Sequence, residues 1–137
     1  MISFLKGNKV EIDVSKVVID VNGVGYKVNI SLRTFSKIKD LKNLHIHTHL
    51  HVKEDAHTLY GFYNKRERNT FLSLISISGL GPITAIVILS SLSADELKLA
   101  ILESDVNKIE TNGKVFDVIL CLNYLHESFF CSLAMHF

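Results

Sequence analysis

The run Ile77-Ser78-Gly79-Leu80-Gly81-Pro82-Ile83-Thr84-Ala85 says most about chemistry. Two glycines one residue apart reach positive φ without steric cost and let another backbone come close. Pro82 suits the first position of a helix, where its missing N–H matters least. Such a helix opens with unpaired N–H groups and the positive end of its dipole facing outward. A phosphate of a nucleic-acid backbone fits there without any base being read. That makes Gly79, Leu80, Gly81, Pro82, Ile83 and Thr84 candidate phosphate contacts. The same residues also fit a plain turn between two helices, and on this run alone the two readings stand level.

A second group is His45, His47, His49 and His51, which alternate along a β-like segment and so share one face. Imidazole is a common metal ligand. Neighbours on one face of a strand lie about 7 Å apart, too far for all four to share one tetrahedral ion. The favoured reading is a solvated face opposite buried Leu44, Ile46, Leu50 and Val52, with no resident metal or other cofactor. Adventitious zinc or nickel at the surface, or a histidine-rich metal-binding β-domain, is the alternative. Hydrolytic chemistry finds no support: there is no Gly-x-Ser-x-Gly elbow and no Walker-type phosphate loop. Lysines and arginines are scattered. Lys53, Arg66 and Arg68 are the best candidates for further DNA contact, because they lie near the other candidate segments.

These residues need elements to hold them. Through about residue 63 the chain reads as β. Val10, Ile12 and Val14 alternate with polar residues, and so do Tyr26, Val28 and Ile30 and then Leu44 to Val52. Val17, Val18, Ile19 and Val21 form a β-branched run ended by Asn22-Gly23. Short strands spaced by turns predict a small barrel or sandwich. The period changes at Asn64-Lys65-Arg66-Glu67, a helix start with a capping side chain and a Glu three residues on. Phe71, Leu74 and Ile75 follow at helical spacing. Ser93-Ala94-Asp95-Glu96 is a capping box ahead of Leu97, Ala100 and Ile101. The fold class is therefore α+β, with β before residue 63 and helices after it.

Composition sets outer bounds. The 137 residues are 47% hydrophobic, enough for a core, and the formal net charge is only +1, so no basic footprint points to nucleic acid. Cys121 and Cys131 make no disulfide framework, which fits a reducing compartment. The N-terminus reads as lacking a secretory leader. Residues 69–94 carry no charge, yet six serines and the central Gly79-Leu80-Gly81-Pro82 break the stretch. Two short buried helices fit it better than a membrane span.

Four segments in order resemble the RuvA family. Val21-Asn22-Gly23-Val24-Gly25-Tyr26-Lys27-Val28 resembles that family's glycine-rich strand signature. Thr48 to Ala56 resembles the segment leading into its acidic pin. Leu59-Tyr60-Gly61-Phe62 follows, then Glu67-Arg68 and Phe71. Gly79-Leu80-Gly81-Pro82 with Ile88-Leu89-Ser90 matches its first hairpin. The resemblance runs from Met1 to about Ile109. It implies an oligonucleotide-binding (OB) barrel over 1–63 and an all-helical helix-hairpin-helix domain over 64–120. It also implies a cytoplasmic homotetramer that binds four-way (Holliday) DNA junctions in recombination and repair. In the family this subunit is non-catalytic and targets a RuvB-type branch-migration ATPase. Glu54 and Asp55 would be the pin, whose charge repels phosphates at the junction centre.

The chain departs from that pattern in three places. Ile83 stands where relatives are often basic, which lowers affinity and salt dependence. In Glu110–Asp117, the place of a second hairpin, only Gly113 and Lys114 keep the family pattern, so weak or no DNA contact is expected there. Residues 121–137 have no Lys or Arg and hold both cysteines and three of the eight phenylalanines. This reads as an atypical tail, with a frameshift after about Lys108 and no third, motor-binding domain. A DNA-binding-impaired remnant or scaffold of the same fold is the rival reading.

Overall fold

The computed structural model describes residues 1–76, 79–93 and 95–97. The chain divides into two compact units, Met1–Arg68 and a second beginning at Asn69.

The first unit is a closed five-stranded barrel, OB-like in its strand order β1-β2-β3-β5-β4. The strands are β1 (Phe4–Ile12), β2 (Lys16–Val21), β3 (Val24–Ile30), β4 (Asn43–Val52) and β5 (His57–Phe62). A short helix, α1 (Leu32–Ile38), separates β3 from β4. All pairs are antiparallel except β3 with β5, which run parallel and close the barrel. Of the two outcomes left open by the strand pattern, barrel or sandwich, the barrel forms.

The alternation in sequence places the core. Leu5, Val17, Ile19, Val28, Ile30, Leu44, Ile46 and Leu59 point inward and are buried, with Ile38 of α1 among them. Asn22 (φ 52°) and Gly23 (φ 88°) give the β2–β3 hairpin its two left-handed residues, matching the twist of the strands.

Four expectations need correction. Val10 and Val14 are exposed, not part of a half-buried face. A bulge between Lys9 and Glu11 shifts the register there. Leu5, Gly7 and Lys9 share one phase, and the extra residue returns Ile12 to the core side while Val10 turns out. Val14 lies in the turn beyond β1. At the far end of β4, Val52 is exposed as well, because the strand there runs past the barrel into its hairpin. Thr48, on the same alternating face as Leu44 and Ile46, is buried with them, and its hydroxyl donates to the Ile2 carbonyl at 2.7 Å.

The fourth correction is α1 itself, which falls in a region read as wholly β. Ser31 caps it, accepting from the Thr34 N–H at 3.2 Å. Its C-terminal end is held by the Lys9 ammonium, which donates to the Ile38 carbonyl at 3.4 Å and to that of Lys39.

Beyond the barrel come α2 (Lys65–Ile75) and α3 (Pro82–Ser91). Asn64 caps α2, accepting from the Glu67 N–H at 2.8 Å. Phe71 and Leu74 of α2 and Ala85, Ile88 and Leu89 of α3 are buried at helical spacing. The Ser93–Glu96 capping box forms in both directions: the Glu96 N–H donates to Ser93 Oγ and the Ser93 N–H to the Glu96 carboxylate. Leu97 behind it is buried, while Ala100 and Ile101 lie outside the described residues. Among the described residues no helix is long and apolar enough to cross a membrane.

Candidate nucleic-acid interface

In the second unit the glycine hairpin leads directly into α3. Gly79 sits at φ +85°, a backbone state that L side chains rarely adopt. Gly81 does not share it: at φ −82° it is the extended N-cap of α3. Between them Leu80 is buried, so the hairpin is pinned by an apolar side chain while both glycines stay exposed. Pro82 takes the first helical turn as expected. Gly81 has no side chain to cap with, and the first intrahelical bond runs from the Ala85 N–H to the Gly81 carbonyl at 3.1 Å. The N–H groups of Ile83 and Thr84 precede that bond, so the helix itself provides them no acceptor. Space stands open around both glycines: a Cβ built on either would meet nothing within 4 Å. Ile83 is 75% exposed at the rim of this site. The arrangement offers an anion two backbone donors and a dipole, with no cationic side chain in the first turn.

In the first unit Lys53, Glu54 and Asp55 form the tip of the β4–β5 hairpin. All three are exposed, and the turn is closed by the Lys53 N–H donating to the Ala56 carbonyl at 2.8 Å. Two adjacent carboxylates therefore stand at the end of a two-stranded projection. Arg66 and Arg68 lie on the first turns of α2. Arg68 is partly committed within the barrel unit, since Nη1 donates to the Ser3 carbonyl at 2.8 Å.

Glu67, between the two arginines, is buried and serves structure. Its carboxylate accepts from Thr34 Oγ1 at 3.4 Å and pairs with Lys37 Nζ at 3.5 Å. Lys37 also stands over the Tyr63 ring, 5.1 Å from its centre. This link from α1 to the start of α2 was not read from sequence. The capping pattern at Ser31 was the available signal, and it was hidden by the shortness of α1.

The histidines lie on the outer face of β4, opposite inward Leu44, Ile46 and Thr48. Burial lowers the pKa of His47, and the charges of Arg68, His45 and Lys65 lower it further. His49 is lowered by burial first, then by His51 and Arg68. Gly113, Lys114, the rest of Glu110–Asp117 and the tail 121–137 lie outside the described residues.

Comparison with known proteins agrees with this geometry. Residues 1–61 match the family described as the RuvA N terminal domain. Over 111 residues, 81% of the chain, it is 51% identical to a protein of Cytophaga hutchinsonii named Holliday junction branch migration complex subunit RuvA. This chain belongs to the RuvA family. A like-named RuvA of Christiangramia forsetii is also 51% identical over 111 residues, and one of Neisseria meningitidis serogroup C is 45% identical over 112. The chain spans only 56–58% of the length of these RuvA relatives. The likeness extends well beyond the RuvA N-terminal barrel, through the hairpin and α3.

Proposed function

We propose that this chain binds four-way DNA junctions, as a non-catalytic subunit that marks them for a branch-migration ATPase in recombination and repair. The observation that carries the reading is the 51% identity over 111 residues to proteins named for that complex. The site's chemistry supports it. Gly79 through Thr84 would grip a phosphate through the backbone donors of α3, and the flanking helices would make the first of two helix-hairpin-helix motifs in a domain over residues 64–120. Lys53, Arg66 and Arg68 would add charge. Glu54 and Asp55 would stand at the junction centre and repel phosphates, which confers selectivity for open junctions. A homotetramer matches four arms, and ATP hydrolysis would belong to a RuvB-type partner in the cytoplasm.

One observation favours a weaker variant of this reading. The exposed Ile83 cannot neutralise a phosphate, so grip rests on N–H groups alone. A gel-shift titration against a synthetic four-way junction and a matched duplex, at two salt concentrations, tests both readings. Junction preference that weakens with salt supports a working binder. Equal or absent binding to both DNAs overturns it and leaves a folded relative with its DNA site disabled.

A further inference from the structure

We propose that His45 and His47, on the outer face of β4, form a two-imidazole site for a divalent transition-metal cation of the zinc class. Four histidines cannot converge on one ion from a single strand, but a neighbouring pair can. The rings of His45 and His47 have centroids 5.4 Å apart and are tilted by 35°. A zinc–nitrogen bond of about 2.1 Å puts the ion about 3.2 Å from a ring centre. Two imidazoles at a tetrahedral angle then have centres about 5.2 Å apart. The ring centres of the pair thus already stand at the separation that a tetrahedral ion requires.

The other pair is less suited. His49 and His51 have centroids 6.2 Å apart, which corresponds to a ligand angle of about 150° at the metal, too open for tetrahedral zinc. His49 also has a further interaction within the fold. Among the described residues no hydrogen bond engages a ring nitrogen of His45 or His47. The Phe4 and His45 rings meet edge to face, with centroids 5.2 Å apart. Among the described residues no third protein ligand completes the site, so water would fill the remaining positions. The neighbouring charges are cationic: Lys6 pairs with His45 across the β1–β4 register, and Arg68 and Lys65 act on His47. These cationic neighbours repel a divalent ion and so moderate its affinity.

The test is a zinc titration of the full chain without an affinity tag at pH 7.5, followed by NMR of the histidine ring nitrogens. His45 and His47 are expected to shift together, at lower zinc than His57, which is exposed on β5. In H45Q the zinc affinity read at the His47 ring should fall at least tenfold, and H47Q should do the same at His45. H57Q should leave both unchanged. Reading the rings one by one separates this site from metal held elsewhere in the chain. A His47 response in H45Q equal to that of the unmodified protein would overturn the proposal. So would all histidines shifting at the same zinc concentration.

Discussion

Replacing Ile83 with lysine puts a cation where α3 presents its free N–H groups. The fold should tolerate it. Ile83 is 75% exposed, so about a quarter of the value of burying such a side chain is at stake, about 0.4–0.7 kcal/mol. The lysine stem recovers part of that along the helix surface. A positive charge beside the positive end of the helix dipole costs about 0.3–1 kcal/mol more. The sum is a loss below about 2 kcal/mol. On DNA the effect is larger and has a distinct signature. One added phosphate contact steepens the dependence of log K on log salt by about 0.9. Between about 50 and about 200 mM salt, a fourfold range, that is an extra 3.5-fold or so of weakening per contact. Four subunits acting together would give about 150-fold by the same relation. Fluorescence anisotropy of a labelled junction across a salt series measures the slope, with a linear duplex in parallel. Phosphate contacts carry no sequence information, so both DNAs should respond. An unchanged slope, in I83K protein whose thermal unfolding shows it folded, would refute the placing of a phosphate at this helix start.

Other outcomes follow from the same structure. Neutralising the hairpin tip, Glu54→Gln with Asp55→Asn, should shift stability by no more than about 0.5 kcal/mol, since both residues are exposed in a turn. Its junction-to-duplex affinity ratio should fall as duplex binding tightens; an unchanged ratio removes the pin role. Gly79→Ala should destabilise by about 1–2 kcal/mol through its left-handed backbone, although space for the methyl is open. Urea unfolding without any loss would show that Gly79 is not held there. His47 and His49 both titrate below the ordinary value of 6.5 when folded. The unfolded chain therefore takes up protons first, and stability present above pH 6.5 is lost as pH falls through the lowered folded values. Urea midpoints at pH 7.5 and pH 5 should show this decline, and His47→Gln with His49→Gln should make it shallower.

Much of this was legible because a strand's period is simple and strong. Leu44, Ile46, Val28 and Ile30 announced their inward faces, and Asn64 and Ser93 announced their helix starts. What failed did so where one residue breaks the period. The bulge between Lys9 and Glu11 put Ile12 out of phase with Val10, which stays outside, and no pattern of side-chain types marks a bulge in advance. Helix α1 was invisible because seven residues are too few for a helical period to outweigh the β pattern on either side. The hairpin glycines could be placed but not told apart: both types permit positive φ, and only Gly79 uses it. At the candidate site the motif carried the position of α3, while the partial commitment of Arg68 to the Ser3 carbonyl depends on folding two distant segments together.

The parallel pairing of β3 with β5 has a consequence for how the chain is made. β5 lies between β3 and β4 and is the last of the five barrel strands to leave the ribosome. Until residue 62 emerges, the nascent chain carries a sheet with two unsatisfied borders, on β3 and on β4. Exposed borders of that kind recruit strands from other chains. One segment, His57–Phe62, seals both at once, and it does so before α2 and α3 have been completed. Synthesis halted before His57 should therefore yield self-associating material, whereas a halt shortly after Arg68 should release a sealed barrel.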